Sequence, residues 1–252
     1  MMPKIIHYCW FGGTPLPPLA IRCIESWRHF LPGYEIRRWD ESNFDFREIP
    51  YIAQAYDAGK YAFVSDFARF KILYEHGGLY FDTDVELLRQ IDDIIAEGPF
   101  MGCETDGGNG RYPQIGPGLG IGAPPGHPFY ASVIRHYSVL TFLNSDGSRK
   151  KETVVNIISE LLKADGLDMS NDIQTVDGIR IYPKEYFCPT SFMDHRPVTT
   201  GQTRAIHHYA GTWLDDIDRL AVRIGTLLTP LPEPARTNTA YRLASLYLKL
   251  FH

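Results

Sequence analysis

Apolar and polar positions in the first forty residues follow the pattern of an alternating α/β chain. Residues 5–11 form an apolar run, which predicts a buried strand that ends before Gly12-Gly13. Residues 19–30 repeat apolar side chains at helical spacing until Pro32-Gly33, and residues 34–39 predict a second strand. A strand, a helix and a strand in this order are typical of a parallel sheet with crossover helices.

A third segment, residues 61–76, is apolar nearly all round, which predicts a buried helix. Gly77-Gly78 is a C-terminal stop signal, and residues 79–81 predict a short strand directly behind it. Further strands are predicted at 100–104, 119–123, 179–182 and 205–209, and further helices near 128–143, 152–164, 213–228 and 236–251. The pattern predicts an α/β fold with a central sheet flanked by helices.

Composition narrows the function classes. The 252 residues are 44% hydrophobic and 22% charged, as in an ordinary globular domain, and the net charge of −5 argues against a general nucleic-acid binder. Four scattered cysteines without a CxxC pair favour a reduced protein over a disulfide scaffold or zinc site. With no signal peptide or membrane-length apolar run in the sequence, we expect a cytoplasmic location.

The run Tyr80-Phe81-Asp82-Thr83-Asp84 carries the main candidate chemistry. If the strand continues through it, Asp82 and Asp84 point to the same side, because side chains alternate along a strand. Two carboxylates together suit Mg²⁺ or Mn²⁺, which bind through oxygen ligands and substrate phosphates. We expect a divalent-cation site here.

Asp66 and Arg69 lie three residues apart on the predicted buried helix, within reach of each other. They form either a structural ion pair or part of a sugar-phosphate pocket, since buried charge needs a partner. Trp10, at the carboxyl end of the first strand, either stacks on a planar base or packs in the core.

His207 and His208 are adjacent on a predicted strand, so at most one of them joins Asp82 and Asp84 on a metal. Glu104 ends another strand and is either a solvated acid or a contact for an acceptor hydroxyl. The Gly- and Pro-rich residues 105–118 are expected to form a mobile loop beside the site.

Taken together, four stretches closely resemble glycosyltransferase family 32, which includes bacterial capsular and O-antigen sugar transferases and yeast mannosyltransferases. Its donor-site motifs are shared with the clostridial glucosylating toxins. The stretches are His7–Gly13, Ala62–Arg69, Gly77–Asp84 and His207–Trp213. Phe81 and Thr212 depart from the usual Leu and Ser of the family pattern.

The resemblance implies a GT-A fold, a Rossmann-like mixed sheet flanked by helices, and a retaining reaction that uses Mn²⁺ or Mg²⁺. It implies a nucleotide-sugar donor, expected to be a UDP-sugar, and a glycan or lipid-linked acceptor in bacterial surface polysaccharide synthesis, such as capsule or lipopolysaccharide. The implied catalytic residues are Asp66, Arg69, Asp82 and Asp84. The implied metal ligands are Asp82, Asp84 and one of His207 and His208, with His207 preferred. The implied nucleotide-sugar contacts are Trp10, Gly12, Asp66, Arg69, Tyr80 and Asp82.

Two other functions remain open. Asp82-Thr83-Asp84-Val85 also fits a haloacid-dehalogenase-like phosphatase with Asp82 as nucleophile, although only Asp215-Asp216 offers its late acidic pair. A non-catalytic sugar-nucleotide binding protein is the third interpretation.

The last residues are expected to form a unit of their own. We divide the chain into a catalytic domain, 1–234, and an amphipathic C-terminal helix, 235–252. That helix either packs on the domain or makes a peripheral membrane contact at the inner face of the plasma membrane.

Overall fold

The computed structural model describes residues 2–190, 196–211, 216–228, 231 and 235–251. The strands are β1 (Ile5–Cys9), β2 (Glu35–Trp39), β3 (Gly78–Tyr80), β4 (Val85–Leu87), β5 (Phe100–Thr105), β6 (Gln114–Ile115), β7 (Ile121–Ala123), β8 (Gln174–Val176), β9 (Ile179–Tyr182) and β10 (Ala205–His207). The helices are α1 (Pro18–Phe30), α2 (Pro50–Asp57), α3 (Tyr61–His76), α4 (Asp92–Ala96), α5 (Pro128–Ser138), α6 (Val154–Ala164), α7 (Lys184–Phe187), α8 (Asp216–Leu227) and α9 (Ala235–Phe251).

Eight strands form one mixed sheet in the order β2-β1-β3-β7-β5-β9-β8, with β6 paired to β5. Strand β1 is parallel to β2 and β3, whereas β7 is antiparallel to both β3 and β5. Strands β1, β3 and β5 therefore run in the same direction. Their carboxyl ends meet at one edge of the sheet, where open α/β folds bind ligands.

Strands β4 and β10 form a separate antiparallel pair in which His207 lies opposite Val85. This pairing joins a segment from late in the chain to the turn that contains Asp82 and Asp84.

Helix α3 forms and ends as the sequence predicts. Phe67, Phe70 and Leu73 are fully buried. Gly77 follows the helix with a φ of +64°, a conformation that favours glycine, and a side chain there would collide with Pro125. The chain then enters β3 at once, so the end of α3 and the end of β3 are held close together.

The predicted α/β fold, a mixed sheet flanked by helices, is confirmed. Most predicted helices and strands are present, with ends that differ by a few residues; the helix expected at 128–143 ends at Ser138 because residues beyond it form turns. The four cysteines are free and buried.

One geometric prediction is wrong. Strand β3 ends at Tyr80, so Asp82 and Asp84 do not lie on one face of a strand. They lie in a turn in which the Val85 N–H donates to the Asp82 carbonyl over 3.0 Å. The strand ends early because the backbone bends to enter β4.

Helices α8 and α9 pack on each other around Ala221, Ala240 and Ala244, apart from the two larger core clusters. The boundary expected at residue 234 lies outside the described residues, as do Thr212, Trp213 and Asp215. The division into two domains remains a prediction. Across the described parts of the chain, no helix is long and apolar enough to cross a membrane.

Candidate active site

Arg69 connects two acidic side chains at the carboxyl edge of the sheet. Its Nη2 lies 2.9 Å from Asp66 Oδ1, one helical turn away on α3, and 3.2 Å from Asp82 Oδ1, in the turn after β3. The Arg69 side chain is only 3% exposed, so its charge depends on these two carboxylates. The predicted contact between Asp66 and Arg69 is therefore present, and it extends to Asp82.

Burial controls the protonation of these acids. It raises the pKa of Asp66 to about 7, in spite of the opposing effect of Arg69 and with a further upward contribution from Asp82. Burial also raises the pKa of Asp82, against the attraction of Arg69. Burial alone would lower the pKa of Arg69. Asp82, Tyr80 and Asp66 outweigh this effect and raise the pKa, so the guanidinium stays charged.

Tyr80 contacts both Asp82 and Arg69. Its hydroxyl donates to Asp82 Oδ1 over 3.0 Å, and the Arg69 guanidinium lies over its ring, 5.1 Å from the centroid. Tyr80 is almost fully buried and does not line the cavity described below. The structure thus places it behind Asp82 and Arg69, where it orients both.

The Asp84 side chain faces strand β10 of the β4–β10 pair. Its Oδ1 lies 3.2 Å from Nε2 of His207, and its Oδ2 accepts a hydrogen bond of 2.8 Å from the Ala210 N–H. Burial alone would raise the pKa of Asp84, but His207 and the Ala210 N–H outweigh it and lower the pKa to about 2. Burial likewise opposes the charge of His207, while Asp84 raises its pKa well above the usual value.

The His208 side chain points away from Asp84 and towards Glu86. Its Nε2 lies 2.7 Å from Glu86 Oε2, on the other side of the β4–β10 pair. The structure therefore brings Asp82, Asp84 and His207 to one place and leaves His208 outside it, in keeping with the alternation expected of adjacent residues.

These side chains line a cavity of about 530 Å³, within the range of small-molecule sites. Trp10 lies in its wall, one residue beyond β1, and its Nε1 donates to the Thr14 carbonyl over 2.7 Å. Gly12 does not reach the wall: its N–H donates to Glu41, and a side chain there would collide with the ring of Tyr61. Gly12 therefore shapes the turn that carries Trp10.

The segment 116–119 covers Asp82, a role that the sequence did not reveal. The Asp82 N–H donates to the Gly118 carbonyl over 3.0 Å. A side chain at Gly118 would collide with the Asp82 carboxylate and lie 3.1 Å from Arg69 Nη1. Glycine is required here by space alone. The Gly-Pro-Gly pattern signalled a turn but gave no indication of what the turn approaches.

Two further side chains, Glu104 and Tyr209, lie in the same cavity wall. Glu104 is half-buried near the end of β5, which runs in the same direction as β1 and β3. Tyr209 has a φ of +49°, a conformation that few residues other than glycine adopt. In the sequence, His207 and His208 marked this segment as a candidate part of the site. No sequence feature indicated that Tyr209 would line the cavity.

The residues present fit a divalent cation shared with a phosphate ligand. Asp82 and Asp84 supply hard oxygen donors, and His207 supplies an imidazole. Within the described ranges, no three His, Cys, Asp or Glu side chains form a preformed metal cage. A magnesium-like ion needs none, because it binds through one or two carboxylates together with phosphate oxygens and water.

Comparison with known proteins finds a family model that matches the segment holding most of the acidic residues of this site. Residues 17–101 match the family described as a glycosyltransferase sugar-binding region containing a DXD motif. That range includes Asp66, Arg69, Asp82 and Asp84.

Two relatives agree with this match. Inositol phosphoceramide mannosyltransferase 3 of Schizosaccharomyces pombe is 29% identical over 159 residues, which cover 58% of this chain and 42% of the relative. This chain thus spans less than half of that protein. An uncharacterized glycosyltransferase of Acanthamoeba polyphaga mimivirus is 27% identical over 213 residues, covering 77% of this chain and 80% of the relative.

Among solved structures, PaToxG glycosyltransferase aligns at a TM-score of 0.45 and 15% identity, over 66% of this chain and 70% of that one. This likeness is too distant to carry a functional conclusion. The family match and the two relatives confirm the resemblance to glycosyltransferase family 32 for the part of the chain that contains Asp66, Arg69, Asp82 and Asp84.

Proposed function

We propose that this protein transfers a sugar from a nucleotide-sugar donor to an acceptor hydroxyl, with Mn²⁺ or Mg²⁺ as cofactor. The observation that carries the proposal is the meeting of Asp82, Asp84 and Arg69 at one cavity. Two carboxylates beside a buried guanidinium suit a diphosphate, since the carboxylates bind its cation and the guanidinium binds an oxygen directly.

The mechanism follows from the charge that develops as the bond between the sugar and the diphosphate breaks. Asp82 and Asp84 would hold a divalent cation, which when bound would supply Lewis-acid stabilisation of the diphosphate leaving group. Arg69 donates hydrogen bonds to the same region from a buried and preorganised position. Asp66 accepts from a hydroxyl of the donor, and Trp10 stacks on the base.

The donor and stereochemistry belong to this proposal. A UDP-sugar follows from the family resemblance, and the mannosyltransferase relatives add GDP-mannose as a second candidate. The family resemblance implies retention, and attack on the same face as departure is the expected course. Asp66, Asp82 and Asp84 are all engaged with other groups. Glu104, the remaining carboxylate of the cavity wall in the described part of the chain, is expected to contact the acceptor hydroxyl.

The acceptor is expected to be a glycan or a lipid-linked oligosaccharide. A role in bacterial surface polysaccharide synthesis rests on the resemblance alone, since the relatives described above come from a fungus and a virus. A lipid acceptor would suit a cytoplasmic protein that touches the membrane surface.

Helix α9 supports such a membrane contact. Leu243, Leu246 and Tyr247 are about half exposed on it, and Leu227 is 82% exposed at the end of α8. Co-sedimentation with anionic phospholipid vesicles tests this contact. Replacing Leu243 and Leu246 by serine should abolish sedimentation, and unchanged sedimentation would refute the contact.

Hydrolysis of a nucleotide-sugar panel in the presence of Mn²⁺ tests the main proposal. We expect release of a nucleoside diphosphate from one of UDP-glucose, UDP-galactose, UDP-N-acetylated sugars and GDP-mannose, and its loss with EDTA or in Asp84→Asn. Absence of release from every donor would refute the transferase. Release of phosphate from p-nitrophenyl phosphate would instead support the phosphatase, and donor binding without release would support the non-catalytic binding protein.

A further inference from the structure

Four carboxylates line the cavity within the described residues: Asp66, Asp82, Asp84 and Glu104. The first two are bound to Arg69, and Asp84 is bound to His207 and the Ala210 N–H. Glu104 forms no salt bridge in the parts of the chain that are described. It accepts from the Tyr209 hydroxyl, which lies 3.5 Å from Oε1, the limit of a hydrogen bond.

A half-buried carboxylate without a salt bridge is costly unless a ligand contributes to its solvation. The surroundings of Glu104 show this cost, because burial raises the pKa of the carboxyl although His207, the Tyr209 hydroxyl and Lys184 favour its charge. A group of this kind inside a cleft is a candidate for direct contact with a substrate.

Glu104 lies close to the place where the reacting carbon of the donor is expected to bind. The segment 116–118 contacts both sites: a side chain at Gly116 would lie 3.3 Å from Glu104 Cβ, and Gly118 covers Asp82. Glu104 is therefore one short turn away from the proposed diphosphate site. The carbon that reacts is bonded to that diphosphate, so it must lie close to this turn.

Tyr209 links Glu104 to Asp84. Its two neighbours are bound to Asp84, since the His208 N–H donates to the Asp84 carbonyl and the Ala210 N–H donates to its carboxylate. Its own hydroxyl lies 3.0 Å from Cys188 Sγ and reaches Glu104. Tyr209 thus contacts Glu104 while its two neighbours bind Asp84, so one short segment with a strained backbone lies between the two carboxylates.

We infer that Glu104 is the residue that binds the attacking hydroxyl and receives its proton; this inference rests on the proposed transferase function. As the hydroxyl oxygen forms its bond to the anomeric carbon, the bond from that carbon to the diphosphate oxygen breaks. The bonding electron pair leaves with the nucleoside diphosphate, and the hydroxyl proton passes to the Glu104 carboxylate. Tyr209 acts as a positioning residue for this carboxylate.

Water serves as the probe acceptor, with the donor that wild-type protein hydrolyses in the panel above. Glu104→Gln should lower kcat for nucleoside diphosphate release by about 100-fold or more, in line with the loss of a general base. The Kd of the donor should change less than about threefold, because the diphosphate contacts remain. Glu97→Gln, which removes the same charge from a surface ion pair with Arg180, should leave both quantities unchanged.

Azide separates the possible roles of Glu104. In Glu104→Ala, sodium azide should restore nucleoside diphosphate release, because azide attacks without a proton to lose. The glycosyl azide should keep the anomeric configuration of the donor, whereas an inverted product would make Glu104 a nucleophile and overturn the inference. Azide should not restore release in Asp84→Asn. Tyr209→Phe should lower kcat less than Glu104→Gln does, with an unchanged donor Kd.

Three further outcomes would overturn the inference: wild-type rates in Glu104→Gln, a failure of azide rescue, or a loss of donor affinity that matches the loss of rate. The last would make Glu104 a contact for the donor sugar. A wild-type protein that hydrolyses no donor would contradict the transferase itself, which is a separate result.

Discussion

The guanidinium of Arg69, on the buried side of α3, lies 3.2 Å from the carboxylate of Asp82 in the turn after β3. This ion pair crosses from a helix to the end of a strand, and it also serves Asp66. The site and the core therefore depend on the same side chain.

Replacing Arg69 by glutamine should destabilise the fold as well as the site. It leaves the buried Asp66 and Asp82 without a cation, a loss that costs about 3–5 kcal/mol for buried pairs. Urea unfolding at neutral pH measures the change. Arg69→Lys should recover part of the free energy of unfolding and less of the activity, because a flexible ammonium lacks the planar, preorganised donors of the guanidinium. An Arg69→Gln protein as stable as wild type would show that the pair contributes nothing.

A methyl group at Gly118 should weaken donor and cation binding with little effect on folding. The added carbon would displace the Asp82 carboxylate and press on Arg69. We expect the Kd of the donor with Mn²⁺, measured by calorimetry, to rise by about tenfold or more, equivalent to 1.4 kcal/mol. Gly201→Ala is the matched control, since a side chain there meets no atom within 4 Å. Equal affinities in both variants would contradict the contact.

The two adjacent histidines should differ in their effect on Mn²⁺ binding. His207 faces Asp84, whereas His208 faces Glu86. We expect His207→Ala to raise the Kd for Mn²⁺ in the presence of nucleoside diphosphate by about tenfold or more, as the loss of a ligand does. His208→Ala should leave it nearly unchanged. Calorimetric titration decides the matter, and a larger effect at His208 would reverse the assignment.

His7 should make stability depend on pH. Its Nδ1 accepts from Trp39 Nε1 over 3.0 Å, and its Nε2 lies 2.9 Å from the Gly77 carbonyl. Burial lowers its pKa to about 4 despite that second contact, so the folded state keeps the ring neutral. As the pH falls from 6.5 to 4, the unfolded chain binds the proton before the folded protein does, so the free energy of unfolding decreases as the pH decreases. The full loss is about 3 kcal/mol, from 1.36 kcal/mol per unit.

The measurement is the free energy of unfolding across pH 4 to 7, compared with His7→Asn. The wild-type protein should lose more stability than the variant as the pH falls. Comparing the two slopes removes the contribution of Asp66, whose raised pKa of about 7 acts in the opposite direction. Parallel curves would show that His7 does not titrate as its burial requires.

The sequence predicted those parts of the fold that carry a strong local signal. Helix α3 was predicted over its full length, because a dense apolar pattern and two glycines mark its course and its end. Helix α2 and the short elements β4, β6, β8, α4 and α7 were not predicted. Strands and helices of two to five residues carry too few positions for a period to show, and the short strands among them form because neighbouring strands pair with them.

The site was predicted in part for the same reason. Asp66 and Arg69 meet because of helical spacing, which sequence reveals. The geometry of Asp82 and Asp84 depends on a turn that the pattern did not indicate. The place of Glu104 depends on the direction of β5 relative to β3, a relation set by β7 between them.

The way in which the segment between β5 and β7 is attached bears on whether it can be exchanged between related transferases. This segment forms one wall of the cavity, while α3 and the turn after β3 form the cation and diphosphate side. Gly118 contacts that side through the hydrogen bond from the Asp82 N–H. We expect that residues 107–113 can be exchanged between related transferases if Asp106, which accepts from the Lys184 N–H, and Ile115, which is buried in the core, are kept. A graft that keeps Glu104, Gly116 and Gly118 should change which sugar is accepted while the diphosphate is held as before.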